Sequence, residues 1–191
     1  MKYLFLVSVS CLLLTFSCKK PGLFTKDLIK NGNVEAGNNA PEDWQIVEGE
    51  YSIGWSGERY RSGAKSLTIQ NSDDTTGTSV WILQIDDVSK ILKNKKLKLD
   101  VWIETEDIGG TGYGESEGVF FSIKGFTGSS SWSYSTLGNQ LIVGSQDWTL
   151  YSIITDGVIP SNTTDIIITL GMGAFTEGRV WFDDMSLYYV N

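Results

Sequence analysis

From Lys96 to Glu104 apolar and polar side chains alternate residue by residue, with Leu97, Leu99, Val101 and Ile103 on one parity and Lys96, Lys98, Asp100, Trp102 and Glu104 on the other. Successive side chains of an extended chain point to opposite faces, so this stretch has one face for a core and one for water. Shorter runs with strand character recur at 44–47, 51–55, 66–70, 79–85, 119–123, 131–136, 148–155, 165–170 and 179–190. Clusters of Gly, Asn, Ser and Asp separate them, and no repeat, low-complexity tract or charge block divides residues 27–191. That punctuation predicts an all-β domain, and about ten strands suit a two-sheet antiparallel β-sandwich. Helix is expected only at Ser89–Lys95, where Ser89 could cap a single turn.

Composition removes most chemistries. The 191 residues contain no His, which excludes Ser-His-Asp and Cys-His nucleophilic systems and every His-bearing metal site. The two Cys, Cys11 and Cys18, both lie near the N-terminus, so no disulfide framework or thiolate metal site is available downstream. Fifteen Lys and Arg face 23 Asp and Glu, a net charge of -8 that repels phosphate backbones and argues against nucleic acid as a partner. A domain of this size buries roughly 70% of its unfolded surface, so its stability does not require a cofactor.

Residues 1–17 read as an export leader: a charged start at Lys2, then an apolar stretch from Tyr3 to Phe16 that is short for a bilayer span. Leu14-Thr15-Phe16-Ser17-Cys18 resembles the lipobox of bacterial lipoproteins, with Thr15 and Phe16 departing from its usual residues. The resemblance implies acylation of Cys18, a membrane anchor, a tether over 18–26 and an extracytoplasmic location, at the bacterial outer membrane or cell surface. Several acyl chains at about 0.8 kcal/mol per buried CH₂ would make such an anchor near-permanent.

In the last run Trp181, Met185, Leu187 and Tyr189 share one parity, and Asp183 falls on it with them. A carboxylate in phase with apolar groups needs a partner, whether a cation, an Arg or Lys such as Arg179, or exposure at the sheet's end. Four segments then carry a wider resemblance: Asn31-Gly32-Asn33-Val34-Glu35, Arg61-Ser62-Gly63-Ala64-Lys65-Ser66-Leu67, Asp147-Trp148-Thr149-Leu150-Tyr151 and Val180-Trp181-Phe182-Asp183-Asp184-Met185-Ser186-Leu187. In order and spacing they resemble carbohydrate-binding modules of family 4/9. The resemblance implies a galactose-binding-like jelly roll over 27–191 and a structural calcium joining the chain's two ends. Glu35 and Asp183 would be its side-chain ligands, and a backbone carbonyl near Lys65 would contribute. It also places Trp44, Trp148 and Trp181 in the core.

Saccharides stack their C–H faces on exposed aromatic rings and satisfy their hydroxyls with polar side chains. Trp102 stands in phase with Lys98, Asp100 and Glu104 while the opposite parity is aliphatic, which makes it the first candidate platform. Phe120 alternates with Ser122 and Lys124, and serves either as a second platform or as a contact for a neighbouring loop. Trp132 and Tyr134 point either way, with the core favoured; Trp81 leans inward and leaves Gln84 as a polar contact. The Gly-rich stretch Gly109–Glu115 reads as a rim loop rather than a phosphate cradle, since no helix pattern follows it.

The pairs Asp73-Asp74, Asp86-Asp87 and Asp183-Asp184 are not dyads, because neighbours on an extended chain diverge. An enzyme is not expected. The expectation is a lipid-anchored module that holds polysaccharide or glycan without catalysis through Trp102, Phe120, Lys98, Asp100, Glu104 and Gln84. The alternative is an adhesion or assembly module that contacts other proteins at the cell surface.

Overall fold

The computed structural model describes residues 26–47, 49–72, 77–90, 95–110, 117–137, 139–140 and 142–190. Ten strands follow one another: β1 (Trp44–Val47), β2 (Ser52–Ser56), β3 (Ser66–Asn71), β4 (Ser79–Ile85), β5 (Lys96–Gly110), β6 (Val119–Thr127), β7 (Ser130–Ser135), β8 (Gly144–Ile154), β9 (Asp165–Met172) and β10 (Thr176–Val190). They form two five-stranded sheets, β1-β4-β9-β6-β7 and β2-β3-β10-β5-β8, with antiparallel pairing throughout. The two-sheet sandwich expected from the alternation is therefore present, and a 3-10 turn at Val88–Lys90 stands where Ser89 was expected to open a helical turn. Residues 91–94 of that turn, most of the 109–115 loop, the leader and Cys18 lie outside the described residues.

The core fills the space between the sheets. Leu97, Leu99, Val101 and Ile103 of β5 are buried there with Leu67, Ile69, Trp81, Leu83, Phe121, Ile123, Ile166, Ile168 and Leu170. Burying an aliphatic side chain of this kind stabilises the fold by about 1.5–3 kcal/mol, so these rows dominate the energetics. Trp44 is in the core as expected, its Nε1 donating to the Asn31 carbonyl at 2.9 Å. Trp132 and Tyr134 pack against the core from its rim.

Two tryptophans break the expectation. Trp148 is only half-buried and takes no part in the core. Trp181 is fully buried but on the outer side of its sheet, paired across β5 with Glu104. A β-bulge explains both Trp181 and Asp183. Asp183 pairs with Trp102 and Ser186 with Asp100, so three steps on β10 face two on β5, and Asp184 takes up the extra residue at φ 47°. The bulge reverses the parity of β10: Val180 and Phe182 point inward before it, Met185 and Leu187 after it. Asp183 thus points outward with Trp181, not into the core.

The chain's start is strapped to its end. Leu28 N donates to the Leu187 carbonyl and Met185 N to the Gly32 carbonyl, both at 2.8 Å. Position 32 lies so close to β10 that a Cβ there would stand 1.9 Å from the Met185 carbonyl oxygen, which only glycine avoids.

Candidate functional site

The six residues expected to form one glycan surface lie on opposite sides of the sandwich. Trp102, Lys98, Asp100 and Glu104 stand on the outer face of the β2-β3-β10-β5-β8 sheet. Phe120 and Gln84 stand on the outer face of the other, where Phe120 neighbours Gly171 and Gln84 neighbours Ile167. Strand parity fixes which face a side chain takes, but not which of two sheets its strand joins.

On the first face the polar groups are engaged with one another. Asp100 accepts from Tyr188 Oη at 2.7 Å, from Lys98 Nζ at 2.9 Å and from Ser152 Oγ. Burial acts to raise its carboxyl, but these donors outweigh burial and hold it below the usual aspartate range. Glu104 and Glu106 share the guanidinium of Arg59, at 2.6 and 2.8 Å. Arg59 and Arg179 both lie against the Trp181 ring, at 4.6 and 4.8 Å from its centre, and Arg61 lies 3.7 Å from the centre of Trp102. Trp102 is therefore half-buried beneath the loop that joins β2 to β3.

Carboxylates clamp that loop in place. Asp183 is fully buried and accepts from the backbone amides of Arg61 (2.8 Å), Ser62 (3.0 Å) and Asp184 (2.7 Å). Burial pushes its carboxyl up to about 6 against the pull of these amides. Glu35 Oε1 accepts from the amides of Ala64 and Lys65 at 2.9 and 2.8 Å. Gly63, which precedes them, has φ +66°, and a Cβ there would meet the Glu35 carboxyl at 2.3 Å, so the Ser-Gly-Ala turn is built around that side chain. Calcium takes six to eight oxygens. Three of the four carboxylate oxygens of Glu35 and Asp183 are instead turned to amide donors, and Lys65 meets Glu35 through its N–H. Among the described residues no group of three or more acidic side chains could hold a metal ion. The donor set fits an amide clamp and does not fit a calcium cage.

Among the described residues the opposite face carries few charges. Gly171 of β9 sits between Val80 of β4 and Phe120 of β6. A Cβ on it would stand 2.6 Å from Phe120 Cζ and 2.7 Å from Val80 Cγ1, so the phenyl ring lies across the bare backbone. Ile82, Thr169, Ser122 and Ser135 continue the same face across four strands, with Lys124 exposed one step along β6. The ring is half-buried and supported from below, as a stacking platform requires. Gln84 is exposed at the end of β4 and donates to Asp86 at 2.6 Å, away from Phe120. Gly171 was the signal available in the sequence: an interior strand glycine marks a close approach.

No protein-family model and no curated protein matches the sequence. Solved structures do match. The fold is a jelly-roll β-sandwich. The CBM22-1 xylan-binding domain of Paenibacillus barcinonensis Xyn10C superposes with a TM-score of 0.53 at 11% identity, over 87% of this chain and 96% of that one. A cyclase from Fischerella sp. TAU superposes with a TM-score of 0.58 at 15% identity, over 87% and 98%. The enzymatically active domain of bacteriophage CBA120 tailspike protein 4 gives 0.60 at 12% identity over 86% of this chain, which spans 21% of that longer protein. At these identities the likeness is one of fold, and the fold carries binding modules and enzymes alike.

Proposed function

We propose that the protein binds polysaccharide or glycan without catalysis, on the outer face of the β1-β4-β9-β6-β7 sheet. One observation carries the reading: the Phe120 ring laid over Gly171 and flanked by Val80, an aromatic platform with hydroxyl groups beside it. The likeness to a xylan-binding domain supports it. Around Trp102 the polar groups are engaged by the protein's own arginines and ion pairs, which supports assigning Trp102, Lys98, Asp100 and Glu104 to the stability of that sheet. Acylation at Cys18 would hold the domain outside the cytoplasm, at the outer membrane or cell surface, within reach of polymer chains. Capture at a single shallow face is expected to be weak, with Kd in the range of roughly 1 μM to 1 mM.

Affinity electrophoresis against a panel of soluble polysaccharides, xylan included, tests the reading. Wild type and Trp102→Ala should be retarded by at least one polymer, and Phe120→Ala should not. Absence of retardation on every polymer, or equal retardation of Phe120→Ala, overturns it.

A second reading has its own observation. Leu150 and Ile154 are 43% and 53% exposed on β8, which lies at the free edge of its sheet and offers an apolar contact to another protein.

A further inference from the structure

β7 and β8 are the edge strands on the same side of the two sheets, and the chain crosses from one to the other through residues 136–143. Between these two edges runs a groove of about 370 Å³, lined by Tyr134, Ser135, Thr136, Asn139 and Gln140 on one wall and by Ser152, Ile153, Ile154 and Asp156 on the other. Its volume falls within the range of small-ligand sites.

The lining divides into two groups. Thr136 is committed to Phe121 through both its hydroxyl oxygen and its proton, and Ser152 donates to Asp100. Asn139 is held by its own amide group, which donates to the carbonyls of Ser135 and Leu137, so its Oδ1 is fixed in place and left to accept. Gln140 is anchored by its backbone N–H, which donates to the Thr136 carbonyl at 2.7 Å, and among the described residues no side-chain hydrogen bond engages Gln140, Asp156 or Tyr134. Tyr134 stands edge-on to Trp132, 6.1 Å between ring centres, so its ring is braced. Opposite, Ile154 supplies an aliphatic surface. Asn139, Gln140, Asp156 and Tyr134 thus bring an acceptor, an amide, a carboxylate and a phenol to the lining of one groove, with Ile154 opposite and no lysine or arginine among the lining residues.

We infer that this groove is a second binding site, for an uncharged sugar unit. The acceptors suit hydroxyl donors, the ring edge and Ile154 suit a sugar's C–H face, and the unneutralised Asp156 rejects uronates and sulfated sugars. The groove adjoins the Phe120 face at Ser135, but Asn139, Gln140 and Asp156 lie off that sheet, so binding in the groove is read separately at their side chains.

The test is amide NMR on the Phe120→Ala protein, in which the sheet face has been removed, titrated with galactose, xylose and glucuronate at millimolar concentration. Galactose or xylose should give saturable shifts at the side-chain amides of Asn139 and Gln140, and glucuronate should not. Gln140→Ala combined with Asp156→Ala, both on the surface, should weaken that binding by about tenfold while leaving the melting temperature unchanged. No saturable shift with either neutral sugar, or equal shifts with glucuronate, overturns the groove. If Phe120→Ala shows no groove shifts but the wild type binds on the sheet, the groove fails alone; if the wild type binds only in the groove, the sheet face fails instead.

Discussion

The guanidinium of Arg61 lies 3.7 Å from the centre of the Trp102 ring while one of its nitrogens pairs with Asp184. The indole is the floor on which Arg61 of the β2–β3 loop rests. Trp102→Ala should therefore lower stability by about 1–3 kcal/mol, from the lost cation–π contact and the lost ring packing, and leave saccharide binding intact. Urea denaturation with a parallel binding assay checks this. Lost binding at unchanged stability would return the site to Trp102.

The Phe120 platform depends on a missing side chain. Gly171→Ala would place a Cβ 2.6 Å from the phenyl ring, which must tilt or lift away. Such overpacking costs about 1–3 kcal/mol. The variant should be less stable and bind polysaccharide more weakly than wild type, whereas Thr169→Ser on the same strand should do neither. Thermal denaturation and affinity electrophoresis together decide the matter.

Much of the fold was legible because its signals are local. The alternation of β5 and the exact ends of β1 and β4 follow from period-two patterning with turn residues between. The site was less legible because it depends on long-range placement. Nothing in Lys98–Glu104 or Val119–Lys124 says that β5 and β6 belong to different sheets. Asp183 shares parity with Met185 and Leu187 in the sequence, but the bulge at Asp184 lies between them, and an inserted residue is invisible to a strict period of two. Arg59 over Trp181 and Arg61 over Trp102 come from a sequence-distant loop, a pairing that strand patterning does not encode, whereas Arg179 shares parity with Trp181 two residues away.

Asp100 gives the molecule an acid-sensitive joint. Its carboxyl is held below the usual range because Lys98, Ser152 and Tyr188 outweigh the effect of burial. A depressed carboxyl contributes stability above its unfolded value, and the contribution is lost as pH falls through the lower folded value. Wild type should thus lose stability relative to Asp100→Asn as pH drops below about 4, while the variant is the less stable of the two at neutral pH. Melting curves between neutral pH and strong acid check the sign; parallel curves for the two proteins would show that the network contributes nothing.

The clamp on the β2–β3 loop separates an ion from a set of amides. Asp183→Ala would leave the amides of Arg61, Ser62 and Asp184 without their acceptor. A buried donor so orphaned costs about 1–3 kcal/mol, and these three are only part-buried and share one side chain, so a combined loss of about 2–4 kcal/mol is expected. Loss of the loop would also uncover Trp102, so indole fluorescence should move to longer wavelength in the variant. If amides alone hold the joint, a chelator should leave the melting temperature of wild type unchanged, because no cation contributes to it. A fall on chelation, restored by calcium, would mean instead that a cation draws the Glu35 and Asp183 oxygens away from the loop. The amide clamp would then describe only the ion-free form.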